Sequence, residues 1–232
     1  MHKIIIKRKY NYQDYQRIDG EQRLYVTPSG NLPSVTTILS ATQPEKKRQV
    51  LENWRNRVGQ ENAKNIVEEA SAIGSLMHEN LENYMDGLPP HGGNMPIRVL
   101  ARRMADVIIE NAYPKIEEVY GQEVKLYYPG LWAGTTDLVG TFNGVFSIMD
   151  YKNSRSVKKK EHIDDYILQG AAYAIAHDNM FGTNIQQTVI LVCCRKDEKN
   201  LQYQEFIIKG DEFQQSKIDW LKRVDQYHRE NK

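Results

Sequence analysis

Residues 134–152, GTTDLVGTFNGVFSIMDYK, decide the fold. Asn143-Gly144 lies near their centre, flanked by β-branched and aromatic residues. Asn-Gly between two such runs specifies a two-residue hairpin with a type I′ turn, because both central positions need positive φ. A turn of that length fixes the register. Phe142 faces Val145, and counting back from the turn Asp137 faces Asp150 in a non-hydrogen-bonded pair, where side chains come closest. Side chains alternate with period two, so Lys152 shares the face of Asp150.

Two opposed carboxylates repel each other. At about 5 Å and an effective dielectric of about 20 the cost is on the order of 3 kcal/mol, and one of the pair is driven toward its protonated form. A divalent cation removes that penalty. Carboxylate oxygens on rigid strands are what Mg²⁺ or Mn²⁺ takes, with water and a substrate phosphate completing the shell. Lys152 is no ligand in its charged form; beside an ion it orients a water or neutralises a phosphate. Asp137, Asp150 and Lys152 therefore point to metal-assisted phosphodiester hydrolysis. The alternative is a solvated sheet face that carries two acids and a base and does no chemistry. Residues distant in sequence weigh between the two.

A chain of 232 residues with 40% hydrophobic content fits one sizeable domain, or one domain with a helical appendage. No apolar run approaches 18 residues, so no membrane span is expected. The start, MHKIIIKRKYNYQDY, lacks a long apolar stretch and a small-residue cleavage site, and its acidic and tyrosine content argues against a mitochondrial presequence. Neither a signal peptide nor a transit peptide is expected. Cys193 and Cys194, adjacent in an apolar run, are the only cysteines. They exclude a disulfide framework and a zinc ribbon, and a reducing cytoplasm fits them. With 31 basic and 30 acidic residues the net charge is +1, so any surface for nucleic acid must be local. The local candidate is SRSVKKK at 154–160, directly after Lys152, which brings in Ser154, Arg155 and Lys158.

Residues 1–31 read as short β structure with turns at Asp19-Gly20 and Ser29-Gly30. Helices are expected over 46–58, with Val50, Leu51 and Trp54 on one face, over 60–86, and over 96–119. The apolar stripe of the second runs through Ile66, Val67, Ala70, Ile73, Met77, Leu81 and Tyr84. The glycine- and proline-rich loop at 87–93 is the expected flexible segment. Strands follow at 122–128 and in the hairpin, then a helix over 161–179, strands over 185–194 and 202–208, and a helix over 211–229 facing inward through Phe213, Ile218, Leu221 and Tyr227. That order predicts an α/β (α+β) fold: a mixed central sheet flanked by helices, with an N-terminal helical region. Residues 1–232 are expected to form a single domain, 1–120 being the β-start and helical region and 121–232 the catalytic sheet and its helices.

His78 borders the stripe of the second helix, one turn after Gly74. It is either a further metal ligand aimed at the acidic hairpin or an ordinary helix histidine. Gly74 leaves room for another backbone or for nucleic acid. Gln169 and Tyr173 share one face of the 161–179 helix with His162, Tyr166 and His177. That face suits a DNA strand, with Ile167, Ala171 and Ile175 turned to the core. Glu123 is a candidate third acid. A tight turn at Pro129-Gly130 pairs it with Thr136, on the wrong face for Asp137, and a bulge near Gly134 is needed to correct the parity.

Together Gly74-x-x-x-His78, Gly134-x-x-Asp137, Asp150-Tyr151-Lys152 and Gln169-x-x-x-Tyr173 resemble the PD-(D/E)XK nuclease superfamily and its RecB-like branch. LPSVTTIL at 32–39, LENWRNR at 51–57, MDYKNS at 149–154 and ILQGAAYA at 167–174 are similar, in order, to the mitochondrial genome maintenance exonucleases, over roughly residues 32–228. The resemblance implies a restriction-endonuclease-like core and a divalent-metal-dependent DNA exonuclease. It implies a preference for single strands with free ends, in replication, repair, recombination or DNA degradation. Carried over by position, His78, Asp137, Asp150 and the backbone carbonyl of Tyr151 bind one or two Mg²⁺ or Mn²⁺ ions. Lys152 positions or activates the attacking water, and Ser154, Gln169 and Tyr173 hold DNA. Relatives built around an iron–sulfur cluster need four cysteines, so no such cluster is expected. The missing leader suggests a bacterial or bacteriophage relative; helicases and single-strand-binding proteins are partners by analogy only. Two other functions fit the same residues: a structure- or sequence-specific endonuclease, and a non-catalytic DNA-binding recombination accessory protein.

Overall fold

The computed structural model describes residues 4–195 and 200–231; residues 1–3 of the expected N-terminal β region lie outside them. Four short strands open the chain: β1 (Ile5–Ile6), β2 (Arg17–Ile18), β3 (Leu24–Thr27) and β4 (Gly30–Pro33). Helices α1 (Val35–Ala41), α2 (Glu45–Val58), α3 (Gln60–Met85) and α4 (Pro96–Ala112) follow. Next come β5 (Ile116–Tyr128), β6 (Trp132–Phe142), β7 (Val145–Ser154), α5 (Asp164–Phe181), β8 (Gln187–Arg195), β9 (Leu201–Lys209) and α6 (Gly210–Glu230). The main sheet has the order β1-β5-β6-β7-β8-β9, and β2-β3-β4 form a small second sheet. The β1–β5 and β7–β8 pairs are parallel and the rest of the main sheet is antiparallel. Helix α5 makes the crossover that a parallel β7–β8 pair requires.

The expected mixed sheet between helical layers is what forms. Period-two alternation sends neighbouring residues to opposite layers. Leu138 and Met149 pack with Ile73, Met77, Leu81, Met104 and Ile108 of α3 and α4. Val139 and Ile148 pack with Ala171, Ala172 and Trp220 of α5 and α6. Asn143 and Gly144 both take positive φ, 49° and 74°, and the hairpin keeps the expected register from Phe142 opposite Val145 to Leu138 opposite Met149.

Several boundaries differ from expectation. Helix α4 stops at Ala112 rather than 119, because Pro114 closes it in a 3-10 turn, Tyr113–Lys115. Strand β5 thus begins at Ile116, and a division at 120/121 falls inside it. Helix α6 buries Phe213, Trp220, Val224 and Tyr227, while Ile218 and Leu221 are exposed. The indole of Trp220 sets that rotation by packing edge-on against Trp132, with ring centroids 5.4 Å apart. Helix α2 buries none of its residues; Val50 and Leu51 are exposed, as are Val67 and Tyr84 of α3. The far end of the 87–93 loop makes hydrogen bonds to α3 and α4. Asn80 Oδ1 accepts from His91 N at 2.9 Å, and Arg102 donates to the carbonyls of His91 and Gly93 at 2.7 and 2.8 Å.

The N-terminal segment runs along β5. Lys7 N donates to Val119 O at 2.8 Å, and the Tyr15 ring meets Tyr127 edge-on. Tyr12 OH lies 2.9 Å from His177 Nε2, while His177 Nδ1 lies 2.8 Å from Thr183 Oγ1. His177 is fully buried among Tyr10, Phe146 and Phe181, so it does not share a DNA-facing surface. Burial pulls its imidazole down to about 4. As pH falls, the unfolded chain takes up this proton first, near pH 6.5. The stabilisation is therefore complete above about pH 6.5 and lost as pH falls toward 4, by roughly 3 kcal/mol. Urea unfolding at pH 7 and pH 4 should show that part of the acid destabilisation disappearing in His177→Gln.

Candidate active site

Strands β5 and β6 set the first acids. Tyr128 pairs with Trp132, so three residues form the turn, with Gly130 at φ 73°. Three rather than two shifts the register by one step. Gln122 then faces Leu138 and Val124 faces Thr136, which places Glu123 opposite Asp137. The parity is corrected at the turn and not by a bulge near Gly134; the irregular steps lie between Ile116 and Glu118 and between Val119 and Gly121. Glu123 takes φ 46°, a left-handed conformation that costs a non-glycine residue about 1 kcal/mol or more.

Helix α3 brings His78 over these strands. A Cβ added at Gly74 would lie 3.1 Å from Asn153 Oδ1 of β7, and Asn153 Nδ2 donates to Ala70 O at 2.8 Å. The room at Gly74 is thus used by a side chain of β7. One turn on, His78 Nδ1 lies 3.5 Å from Asp137 Oδ1, and His78 Nε2 lies 3.1 Å from the Tyr151 carbonyl oxygen. Asp137 Oδ2 accepts from Tyr151 N at 2.6 Å. Beneath them Tyr113 OH donates to Leu81 O at 3.2 Å and lies 3.1 Å from Tyr151 OH, which ties α3 to β7. His78, Glu123 and Asp137 each offer a ligand atom within 4.8 Å of the others. Asp150 stands outside this trio. Its carboxylate, 1% exposed, is ion-paired with Lys152 on the same face of β7. In place of a symmetric pair of aspartates, the geometry gives a histidine–glutamate–aspartate group adjoining a buried aspartate–lysine pair.

The site is rich in negative charge. Glu82, one helical turn after His78, adds another carboxylate that the sequence reading missed; its i, i+4 spacing from His78 was the available signal. Burial raises Glu82, partly offset by His78 and reinforced by Asp137. Glu123 is exposed, yet the protein packed around its carboxylate, followed by Asp137, Glu82 and Asp150, pushes it up to about 8, against the pull of Arg17. Burial likewise raises Asp150, opposed by Lys152 and helped by Asp137. Burial lowers Lys152, but Asp150 and Asp137 outweigh it and hold the ammonium above its ordinary value. Carboxylates that oppose one another's ionisation are what a divalent cation relieves. Hard oxygens with one imidazole fit Mg²⁺ or Mn²⁺.

The expected DNA contacts are placed unevenly. Gln169 Nε2 donates to Tyr173 OH at 3.1 Å, but Tyr173 is buried and packs on Gly134, where a Cβ would meet its ring at 2.7 Å. Ser154 is also buried, with its hydroxyl donating to Ser156 O at 2.6 Å. Arg155 is exposed and lies 3.9 Å from Glu69. Lys158 is half-buried and holds Gln204 through both backbone groups. His162 is exposed in a 3-10 turn, Lys160–His162.

No family model matches the chain. Human mitochondrial genome maintenance exonuclease 1 is 25% identical to it over 222 residues, covering 87% of this chain. The chain spans 59% of that relative's length. A crystal structure of a candidate exonuclease from Eubacterium rectale overlaps 68% of each chain with a TM-score of 0.47 at 15% identity. The chain is thus similar, along most of its length, to an exonuclease. Among the described residues no helix is long and apolar enough to cross a membrane.

Proposed function

We propose that this chain is a divalent-metal-dependent deoxyribonuclease of the RecB-like branch of the PD-(D/E)XK superfamily. Its substrate on this reading is single-stranded DNA with free ends, such as flaps and tails, from which it removes nucleotides. The observation that carries the reading is the meeting of His78, Glu123 and Asp137, from three separate elements, beside the Asp150–Lys152 pair. The similarity to a genome maintenance exonuclease supports DNA as the substrate.

On this reading His78, Glu123, Asp137, Asp150 and the Tyr151 carbonyl would hold Mg²⁺ or Mn²⁺. Such an ion, when bound, polarises a phosphate and makes water more acidic. The protein's own groups supply the rest. Asp137 accepts from Tyr151 N and so fixes the strand that carries both Asp150 and Lys152. Lys152, with an ammonium held charged, offsets the negative charge that builds on a phosphate under attack. Arg155 and Lys158 extend positive charge beyond Lys152 along the path of the strand, with Ser154, Gln169 and Tyr173 shaping its floor. The chain acts as a single nuclease domain in a reducing cytoplasm, which suits its two buried free thiols. Helicases or single-strand-binding proteins would present suitable ends.

The test is digestion of 5′- and 3′-labelled single-stranded, duplex and flap substrates, together with closed circular single strands, in Mg²⁺, Mn²⁺ or chelator. Linear single strands should disappear only with metal, and circles should survive. Cleaved circles would favour an endonuclease. Binding without cleavage in either metal would favour an accessory protein.

A further inference from the structure

Lysine is a flexible catalytic group. Its four-carbon stem carries about 2 kcal/mol of rotamer entropy, and its ammonium has three donors with no fixed direction. Something must hold Lys152 if it is to meet a phosphate at one place. Asp150 holds one side. An ion pair alone, however, draws the ammonium down onto the buried carboxylate and away from any substrate.

On the other side stands Tyr166. Lys152 Nζ lies over its ring, 5.2 Å from the centroid. The ring is half-buried and packs against Ile163, Ile190, Val192 and Cys194 of α5's approach and β8. Its backbone is fixed as well: Tyr166 N donates to Ile163 O at 2.9 Å in the first turn of α5. The neighbouring Asp165 is ion-paired at 2.5 Å with Lys47 of α2. The ring is therefore placed by the fold and not by the lysine. The sequence puts Tyr166 on a helix face suited to DNA, yet one face of its ring is turned to Lys152.

We propose that Tyr166 is a positioning residue for Lys152, its ring and the Asp150 carboxylate forming a two-sided cradle that leaves one ammonium donor free for the reacting phosphate or water. The inference rests on the reading of Lys152 as part of a phosphodiester-hydrolysing site. A ring face attracts a cation without taking its proton. It competes with Asp150 for direction while leaving the charge intact. The ring and not the hydroxyl does this, so phenylalanine should replace tyrosine and leucine should not.

The experiment compares wild type, Tyr166→Phe, Tyr166→Leu, Lys152→Ala and the Lys152→Ala/Tyr166→Leu double variant on a labelled single strand in Mn²⁺. Tyr166→Phe should keep kcat within about twofold, and Tyr166→Leu should lose roughly tenfold in kcat with KM little changed. On the Lys152→Ala background the leucine change should cost nothing further. A second readout is independent of activity. In protein carrying ¹³C-lysine, the Lys152 side-chain signal, assigned by its absence in Lys152→Ala, should show a ring-current shift that persists in Tyr166→Phe and vanishes in Tyr166→Leu. No ring-current shift in wild type overturns the proposal, whether or not the protein cleaves DNA. So does an equal loss in the phenylalanine and leucine variants, or a leucine effect undiminished without Lys152. A wild type that shows the shift but cleaves nothing would instead sink the nuclease reading and leave the cradle standing.

Discussion

Asp137→Ala should lower cleavage of a labelled single strand by roughly a thousandfold or more, and weaken Mn²⁺ binding with it. Asp137 has two tasks. One oxygen faces His78 at 3.5 Å within the proposed metal-binding trio, and the other accepts from Tyr151 N at 2.6 Å. Alanine removes both. Asparagine separates them, because its carbonyl oxygen still accepts from Tyr151 while the negative charge is gone. Asp137→Asn should therefore keep the unfolding midpoint of wild type and still lose most activity. Single-turnover rates and a Mn²⁺ titration, read beside urea unfolding, check both parts. Wild-type cleavage by Asp137→Ala would remove this residue from the site.

Lys152→Ala should reduce kcat by roughly 10²–10⁴, while DNA affinity measured in Ca²⁺ stays close to wild type. The same change has a second consequence. Asp150 is 1% exposed, and removing its partner leaves a buried carboxylate without compensation. Breaking a buried pair from one side costs about 3–5 kcal/mol. A drop in activity could then reflect partial unfolding. The double variant Asp150→Asn/Lys152→Met removes both charges together and should recover most of the stability and none of the activity. Recovery of activity along with stability would show that Lys152 serves the fold alone.

Much of the sheet could be read from its turns and alternation, because a two-residue Asn-Gly turn leaves a hairpin one register. The β5–β6 turn was harder. Pro129-Gly130 allows two or three residues in the loop, and that one-residue choice decides whether Glu123 faces Asp137 or Thr136. Sequence alone holds no signal for it. The start of β5 was hidden because 116–121 continues the apolar spacing of α4, and only Pro114 marks the break. His78 could be singled out from its place one turn after Gly74, and it lies 3.5 Å from Asp137, whereas Glu82, four residues on, was not singled out. His177 was misplaced for a tertiary reason. Its burial depends on Tyr10 and Tyr12, which arrive from the far end of the chain. The face of α6 followed Trp220, whose partner Trp132 no helical period could reveal.

The N-terminal segment carries a temporal consequence. It is synthesised before its partners, which lie in β5 and α5: Lys7 joins Val119, and Tyr12 joins His177. At about 5–20 residues per second on the ribosome, those partners emerge roughly six to thirty seconds later. Through that interval the opening tyrosines and Ile5–Ile6 have nothing to dock on. Nascent chains are therefore vulnerable to holdase chaperones and to mispairing with another copy's β5 until translation passes α5. Resistance to protease should be acquired late and all at once, not gained piece by piece as the chain emerges.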